Sequence, residues 1–600
     1  MKKLILLILA VFTGIAGSLA QEVVSPLRFM PQQKAMVQQR ISSVLDTLIL
    51  PFTDDFSASQ VTPDKNLWTD RFVFVNTDMA DGPPTLGVAT FDGLDEKGDA
   101  YDIFSPTGSG LADRLSSQAI NLSADDPADS VYLSFFVQPA GFCDPPESND
   151  SLSLEFFASD SLWKRVWSIT GSSNRAFQQF MVPVAETQFF HEGFRMRWSS
   201  YGNRTGNVDV WHLDYVRLNR NRSAIDTGIT DVGFKSRPSS LVTPYQEMPW
   251  KQYAADSARF KAANHKVVAR NLGAARNVGY KFTTVNRNNN STVIDVGIQN
   301  ISPFPENSDF TFNFPSFPIP QTSTDSLELE TTYRLQNAPD FWANNDTVRR
   351  TQRFWNHFAY DDGTAETGYG LNTIGGSVAY KFYTATPDTL RGLWMYFTQA
   401  AENAALELFN LKVWAFIGEG SFTGNESVLT QQPLQRPRYA DSIGQFVFYA
   451  LDTPVLVRDS FYVGWQQLTQ RLLNIGLDRN NQVAGVKWFN TLGQWNPSAI
   501  NGSWMIRPVL ATELRFPTSV TNHKEHFWQL YPNPTDGWLR WSGLETVNRV
   551  EVKDIQGRLI MQQHDVLVNQ VDVSALHPGL YFITLQSQSG RSYTKRFIRH

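Results

Sequence analysis

Cysteine is almost absent from this chain. Cys143 stands alone among 600 residues, so no internal disulfide can form. Durability outside the cell must then rest on large cores or on bound ions. An excess of one charge is also missing: 52 Lys and Arg against 58 Asp and Glu leave -6, spread along the chain. No basic field points to nucleic acid. Long apolar runs are missing as well. The one between Leu4 and Ile15 falls short of the roughly 20 residues a membrane span needs. Nine scattered histidines form no His-Glu-x-x-His, and the spacing of His523 and His526 is read as incidental. No Gly-x-Ser-x-Gly elbow stands between a strand and a helix, and no phosphate-cradling loop occurs. Cys143, in the loop Gly141-Phe142-Cys143-Asp144-Pro145-Pro146, reads as an inert thiol.

What the chain has is rings and turns. Aromatics reach 13%, with 42 Phe, 19 Tyr and 17 Trp, beside 38 Gly and 31 Pro. That composition favours β-sandwiches over helical bundles, and the length allows about four domains of 100–200 residues each. The expected fold class is all-β: a multidomain chain of two jelly rolls, an Ig-like spacer and a small C-terminal Ig-like domain.

Residues 1–20 pair Lys2-Lys3 with a short apolar core and Ser18-Leu19-Ala20, which predicts a signal peptide cut before Gln21. A lead-in follows over 21–49, where Val37, Ile41, Val44, Leu45 and Leu48 recur at helical spacing. From 50 to 218 strand-like runs such as Val131–Val137 and Leu152–Phe157 alternate with turn clusters. Asp54-Asp55-Phe56-Ser57 with Trp68, and Val210-Trp211-His212-Leu213-Asp214-Tyr215-Val216, resemble the first and last strands of MAM-like jelly rolls. The resemblance implies a two-sheet sandwich with its terminal strands side by side. It further implies a structural Ca²⁺ held by Asp55, Asp92, Asp95 and Asp214, hard oxygen ligands of the kind that ion takes. The alternative is that these acids cap turns.

Residues 219–356 open on the polar hinge Asn219-Arg220-Asn221-Arg222 and read as an Ig- or fibronectin-like spacer, with a short helix around Trp250–Ala263 as the exception. A second jelly-roll-like sandwich is expected over 357–513. Its opening Tyr360-Asp361-Asp362-Gly363-Thr364-Ala365-Glu366 resembles a module that recurs in exported Bacteroidetes proteins, and its acids echo Asp54-Asp55.

After a linker at 514–526, residues 527–600 carry Tyr531-Pro532-Asn533-Pro534 and Gly537, then Gly557, Pro578-Gly579 with Tyr581, and the basic end Lys595-Arg596. Prolines that fix φ, followed by turn residues, make a rigid start to a β unit. The whole segment resembles the type A C-terminal sorting domain of the Bacteroidetes type IX secretion system. That implies a partner, the secretion machinery, and export through the periplasm to the outer-membrane surface or beyond.

For function, the sequence favours a non-catalytic adhesion or glycan-binding protein meeting a glycan or surface protein. Trp495 is the expected exposed ring, with Trp488, Asn490 and Gln494 beside it. The alternatives are a hydrolase whose acid pair the sequence does not locate and a structural surface-layer component. Asp-Ser and Asp-Thr before an apolar residue, as at Asp129-Ser130-Val131, read equally as glycan acceptors and as turns entering strands.

Overall fold

The computed structural model describes residues 22–30, 47–105, 108–322, 324–336, 342–399, 403–419, 425–440, 445–510, 529–542, 547–554, 558–564, 568–587 and 592–600. The signal peptide, the helical part of the lead-in, the 514–526 linker and Gly557 lie outside these residues. Regular structure in the described chain is almost entirely strand, and the chain forms two compact units, divided after Pro517.

In the first unit, one sandwich lies between Phe52 and Asn219. One sheet orders Ser109–Ser116, Met196–Asn203, Ser151–Phe157 and Trp163–Thr170. The facing sheet is built around Trp211–Asn219, which carries Phe52–Asp54 antiparallel along one end. The sequence dictates the facing directly. In Ser-Leu-Ser-Leu-Glu-Phe-Phe, Leu152, Leu154 and Phe156 are fully buried while their neighbours are not, a period of two. They meet Phe135, Trp198 and Trp68, whose rings pack edge to face at 5.2 and 6.1 Å.

The middle sandwich pairs Asn264–Asn271 with Ser308–Pro315, opposite a sheet of Thr347–Trp355, Leu327–Gln336, Arg276–Asn286 and Ser291–Phe304. Two short helices, Trp250–Ala255 and Ser257–Phe260, occupy the place where the sequence indicated one. This region is more than a spacer. Tyr245 packs on Phe358 and Tyr360 at 4.6 and 4.7 Å, so its apolar core runs unbroken into the third sandwich. The third sandwich centres on Ser377–Tyr383, flanked by Ser460–Gln467 and Lys487–Asn490.

A strap closes the unit. Glu22–Ser25 pairs antiparallel with Thr367–Leu371, and the Tyr369 hydroxyl donates to Glu22 Oε1 at 2.7 Å. A few residues on, Leu27 and Met30 enter an apolar cluster with Met79, Leu94 and Val210 of the first sandwich. Gly98, at φ +77°, lets the strap pass: a Cβ there would stand 1.8 Å from the Met30 carbonyl oxygen. The start of the described chain thus ties the third sandwich to the first.

The second unit holds two small sheets. One orders Gln529–Tyr531, Trp538–Ser542 and Gln570–Asp572; the other orders Leu559–His564, Val547–Lys553, Gly579–Ser587 and Ser592–Arg599.

Truncating the strap at Leu27 (Leu27→Ala) removes a buried side chain and should destabilise the first unit by about 2–4 kcal/mol, as large-to-small core changes do. Chemical denaturation checks this, and an unchanged midpoint would show that the strap only rests on the surface.

Candidate ligand cleft at the junction of three sandwiches

The third sandwich begins with a loop that its own acids shape. Asp361 accepts from the Gly363 amide at 3.0 Å; Asp362 Oδ1 accepts from the Thr364 amide at 3.0 Å and its hydroxyl at 2.6 Å. These are Asx turns, formed because a short carboxylate can reach an amide two residues on. The fully buried Asp361 is gripped by Arg507, with Nη2 to Oδ1 at 2.5 Å and Nε at 3.2 Å to both oxygens. Asp478, at the end of Ile475–Asp478, accepts from the amides of Asp362, Asn480 and Asn481 at 2.8, 2.9 and 3.0 Å.

Side chains from the other sandwiches complete the junction. Arg237 donates to Asp78 Oδ2 at 2.8 Å and to the Thr77 hydroxyl. Asn480 donates to the Asp78 carbonyl at 3.0 Å. Arg350 donates to Gln246, Gln246 to Asn481 at 2.7 Å, and Asn481 to Asp362 at 2.9 Å. Around these groups opens a cleft of about 590 Å³ whose lining includes Asp78, Arg237, Gln246, Arg350, Asp362 and Asn481. A smaller cavity of about 270 Å³ adjoins it, bordered by Asp78, Arg237, Thr364 and Glu366.

The charges in this junction are costly. Burial, with Asp362 adding and Arg237 opposing, lifts the Asp78 carboxyl to about 6. Glu366 and Asp478 are fully buried and stand well above the usual carboxylate range, through burial first and then through Asp362. Burial works against Arg237, yet Asp78, Asp362 and Glu366 hold it above its ordinary value. The site can hold protons on carboxyls and offer amide, guanidinium and carboxylate groups to a polar ligand.

The residues expected to bind ligand are placed differently. Trp495 is buried, 1% exposed, where exposure was expected. The reason is local: Lys487–Asn490 and Trp495–Pro497 form a hairpin that lays the Trp495 ring edge-on against Trp414 at 5.6 Å. Glu426 accepts from both indoles, at 2.8 and 2.9 Å. Trp488 packs partly against the same cluster, Asn490 is buried and caps the Gly493 amide, and Gln494 is half-buried.

The four expected metal ligands do not converge. Asp92 follows Phe91, paired with Trp211, whereas Asp55 follows Asp54, paired with Val216. Five residues of strand separate those positions, roughly 16 Å. Asp92 sits beside Asp113, and Asp95 caps the Lys97 and Asp99 amides. Asp55 and Asp214 do share a site, with partners the sequence reading missed. Asn345 Nδ2 donates to Asp55 at 3.0 Å and to Asp231 at 2.8 Å, and the Tyr215 hydroxyl donates to Asp231. Asp231 and Asn345 belong to the middle region, over a hundred positions apart in sequence. No sequence spacing announces them.

In the C-terminal unit the expected residues form the fold. Asn533 Nδ2 donates to the Arg596 carbonyl at 3.1 Å and its Oδ1 accepts from the Ile598 amide at 3.0 Å, clamping Tyr531-Pro532-Asn533-Pro534 to the last strand. The Gly537 carbonyl accepts from the Val573 amide, and Tyr581 reaches the His577 carbonyl while stacking on Phe597 at 5.7 Å. Pro578 leads into Gly579–Ser587, and the Lys595 and Arg596 side chains are exposed.

No curated protein matches the chain. Among solved structures it is similar to a β-glucuronidase of Bacteroides uniformis, at 11% identity over 46% of this chain and 31% of that one, TM-score 0.19. It is similar also to a β-glucuronidase of Parabacteroides merdae (10%, 46% and 31%, TM-score 0.21) and to the glycoside hydrolase domain Endo-D of Streptococcus pneumoniae R6 (11%, 51% and 44%, TM-score 0.20). The chain spans less than half the length of each, and likeness at this level bears on no activity. Residues 529–600 match the family described as the secretion system C-terminal sorting domain. The protein is a type IX secretion substrate, exported to the cell surface or the extracellular space. No described helix is long and apolar enough to cross a membrane.

Two outcomes follow from these placements. Glu366 holds its proton above the unfolded value of 4.5, so its contribution to stability is full below pH 4.5 and is lost as pH rises through the raised folded value. Glu366→Gln should therefore raise the melting temperature at pH 7.5 and flatten its fall with pH; equal profiles for both proteins would refute this. A chain ending at Thr521 should accumulate in the periplasm, as fractionation would reveal, and its normal display at the surface would contradict the role given to residues 529–600.

Proposed function

We propose that this is a non-catalytic adhesion protein that binds a glycan in the junction cleft after export. The observation that carries the reading is the cleft's lining. At about 590 Å³ it has the size of an oligosaccharide or drug-sized site. Bonds made by Asn481, Gln246, Asp362 and Arg237 hold these walls in fixed positions, and the second lone pairs of the carboxamide and carboxylate oxygens are acceptors that sugar hydroxyls can meet. Because every wall comes from a different sandwich, the ligand would meet a preorganised surface rather than a mobile loop.

A hydrolase is the second reading, favoured by one observation: Asp78 and Glu366 border the same smaller cavity and both hold protons above the ordinary range. Acid and base carboxyls with shifted values are what glycoside hydrolysis uses.

We read the first sandwich as a MAM-like jelly roll, supported by Phe52–Asp54 lying on Trp211–Asn219, and the middle region as Ig-like. A structural Ca²⁺ is proposed at Asp55 and Asp214 alone, because Asn345 presents its Nδ2, a donor, to Asp55 and Asp231 and cannot ligate there. Burial raises Asp55 to about 6 and Asp214 well above the usual range, with the Asp55 charge adding to the latter. Asp214 Oδ2 has no hydrogen-bond partner, and none of the ion pairs among the described residues brings a Lys or Arg to Asp55 or Asp214. Buried carboxylates without a counter-charge are what a hard cation stabilises.

Binding of the exported protein to an array of glycans tests the main reading. Saturable binding that falls roughly tenfold or more in Asn481→Ala, which removes a wall group together with its bonds to Gln246, Asp362 and Asp478, is the expected result. Cleavage of the bound glycan, lost in Glu366→Gln, would establish the hydrolase instead. Silence across the array would turn attention to protein adhesion or surface-layer structure. For calcium, chelator should lower the melting temperature, added Ca²⁺ should restore it, and Asp214→Asn should abolish the response; a melt indifferent to chelator removes the ion from the account.

A further inference from the structure

We propose that the junction cleft selects an acidic glycan, one bearing carboxylate or sulfate groups, and that Arg350 and Lys266 receive its anion. This rests on the glycan-binding reading above and goes beyond it in naming the ligand class.

Charges along the cleft wall are unevenly matched. Each acid there already has donors. Asp78 takes Arg237 at 2.8 Å; Asp309 takes Lys235 at 2.8 Å and Arg270 at 3.3 Å; Asp362 takes Asn481 at 2.9 Å and Thr364 at 2.6 Å. Two of the cations differ. Arg350, half-buried on Thr347–Trp355, donates to the Pro238 carbonyl at 3.0 Å and the Gln246 carboxamide at 2.6 Å, both neutral acceptors. Lys266, exposed on Asn264–Asn271, forms no ion pair among the described residues, and neither does Arg350. Asp362 and Glu247 act on Arg350 only at longer range, and burial pulls it below its ordinary value.

A half-buried guanidinium facing a polar opening without an anion is an incomplete arrangement. Its planar fork of N–H groups matches a carboxylate or a sulfate, and charge-assisted bonds of that kind are about twice as strong as neutral ones. The neighbouring hydroxyls suit the same ligand. Ser236 and Ser239 spend their oxygens as acceptors, from the Val268 amide at 3.0 Å and the Lys266 amide at 2.8 Å, which leaves their O–H groups to donate. Both line the cleft with Arg350 and Lys266.

The test titrates the full exported protein with three oligosaccharides of one backbone: neutral, uronate-bearing and sulfated. Free galacturonate and inorganic sulfate serve as small probes. Tighter binding of an acidic form is expected, weakened roughly 10- to 100-fold by Arg350→Gln and by Lys266→Gln. Lys266 is exposed, so its variant should melt like the unmodified protein and keeps the test open if Arg350→Gln unfolds. The stronger of the two acidic forms identifies the group recognised. Equal binding of neutral and acidic forms, unaffected by either variant, overturns the anion assignment while leaving the glycan reading intact. Binding of galacturonate or sulfate alone, lost in the variants, with no oligosaccharide retained, keeps the anion site and removes the glycan reading. Failure of every probe overturns both.

Discussion

The buried ion pair between Asp361 and Arg507 is the interaction on which the junction depends. Both side chains lie almost wholly out of water, and Arg507 also stands 4.1 Å above the Phe446 ring. Taking two charges inside costs several kcal/mol each, repaid only when their geometry is fixed. Fixing it fixes the loop that follows Asp361. The turn at Asp362 then meets Asp478 and Asn481; Gln246 of the middle region donates to Asn481, and the neighbouring Asn480 donates to the Asp78 carbonyl of the first sandwich. A polar network of this kind can carry specificity that an apolar seam between sandwiches would not.

Around that network the molecule uses continuity in place of crosslinks. With one cysteine available, the middle and third sandwiches merge their apolar cores through Tyr245, Phe358 and Tyr360. The strap joins the third sandwich to the first, using one strand pairing and two apolar side chains. The result is one compact unit whose cleft is walled by all three sandwiches. The C-terminal unit has its own core around Trp541, Val550, Ile583 and Phe597, in keeping with a module that directs export.

Period-two burial, turn residues and aromatic content made the strands and the all-β class legible from the chain alone, because a strand's facing depends on its nearest neighbours in sequence. The sorting segment was legible through its resemblance to a known family, carried in order by Tyr531-Pro532-Asn533-Pro534, Pro578-Gly579 and Lys595-Arg596. The ligand residues were not. Trp495 reads as an exposed ring in a turn-rich stretch, yet its burial is decided by Trp414 and Glu426, some seventy or more positions away. Asp55 and Asp214 could be paired through the strands that carry them, whereas Asp231 and Asn345 arrive from another sandwich.

By itself, the sequence determined that this chain folds as sandwiches and forms them without disulfides, both consequences of local pattern and composition, and its resemblance to a known family marked residues 527–600 as an export module. Only the tertiary structure decided where polar groups gather. Carboxylates and guanidiniums spread evenly along the chain carry no spacing signal. Their meeting at Asp78, Arg237, Arg350, Asp362 and Asn481 follows from how three sandwiches close on one another, and buried charge has to find its partners wherever that closure puts them.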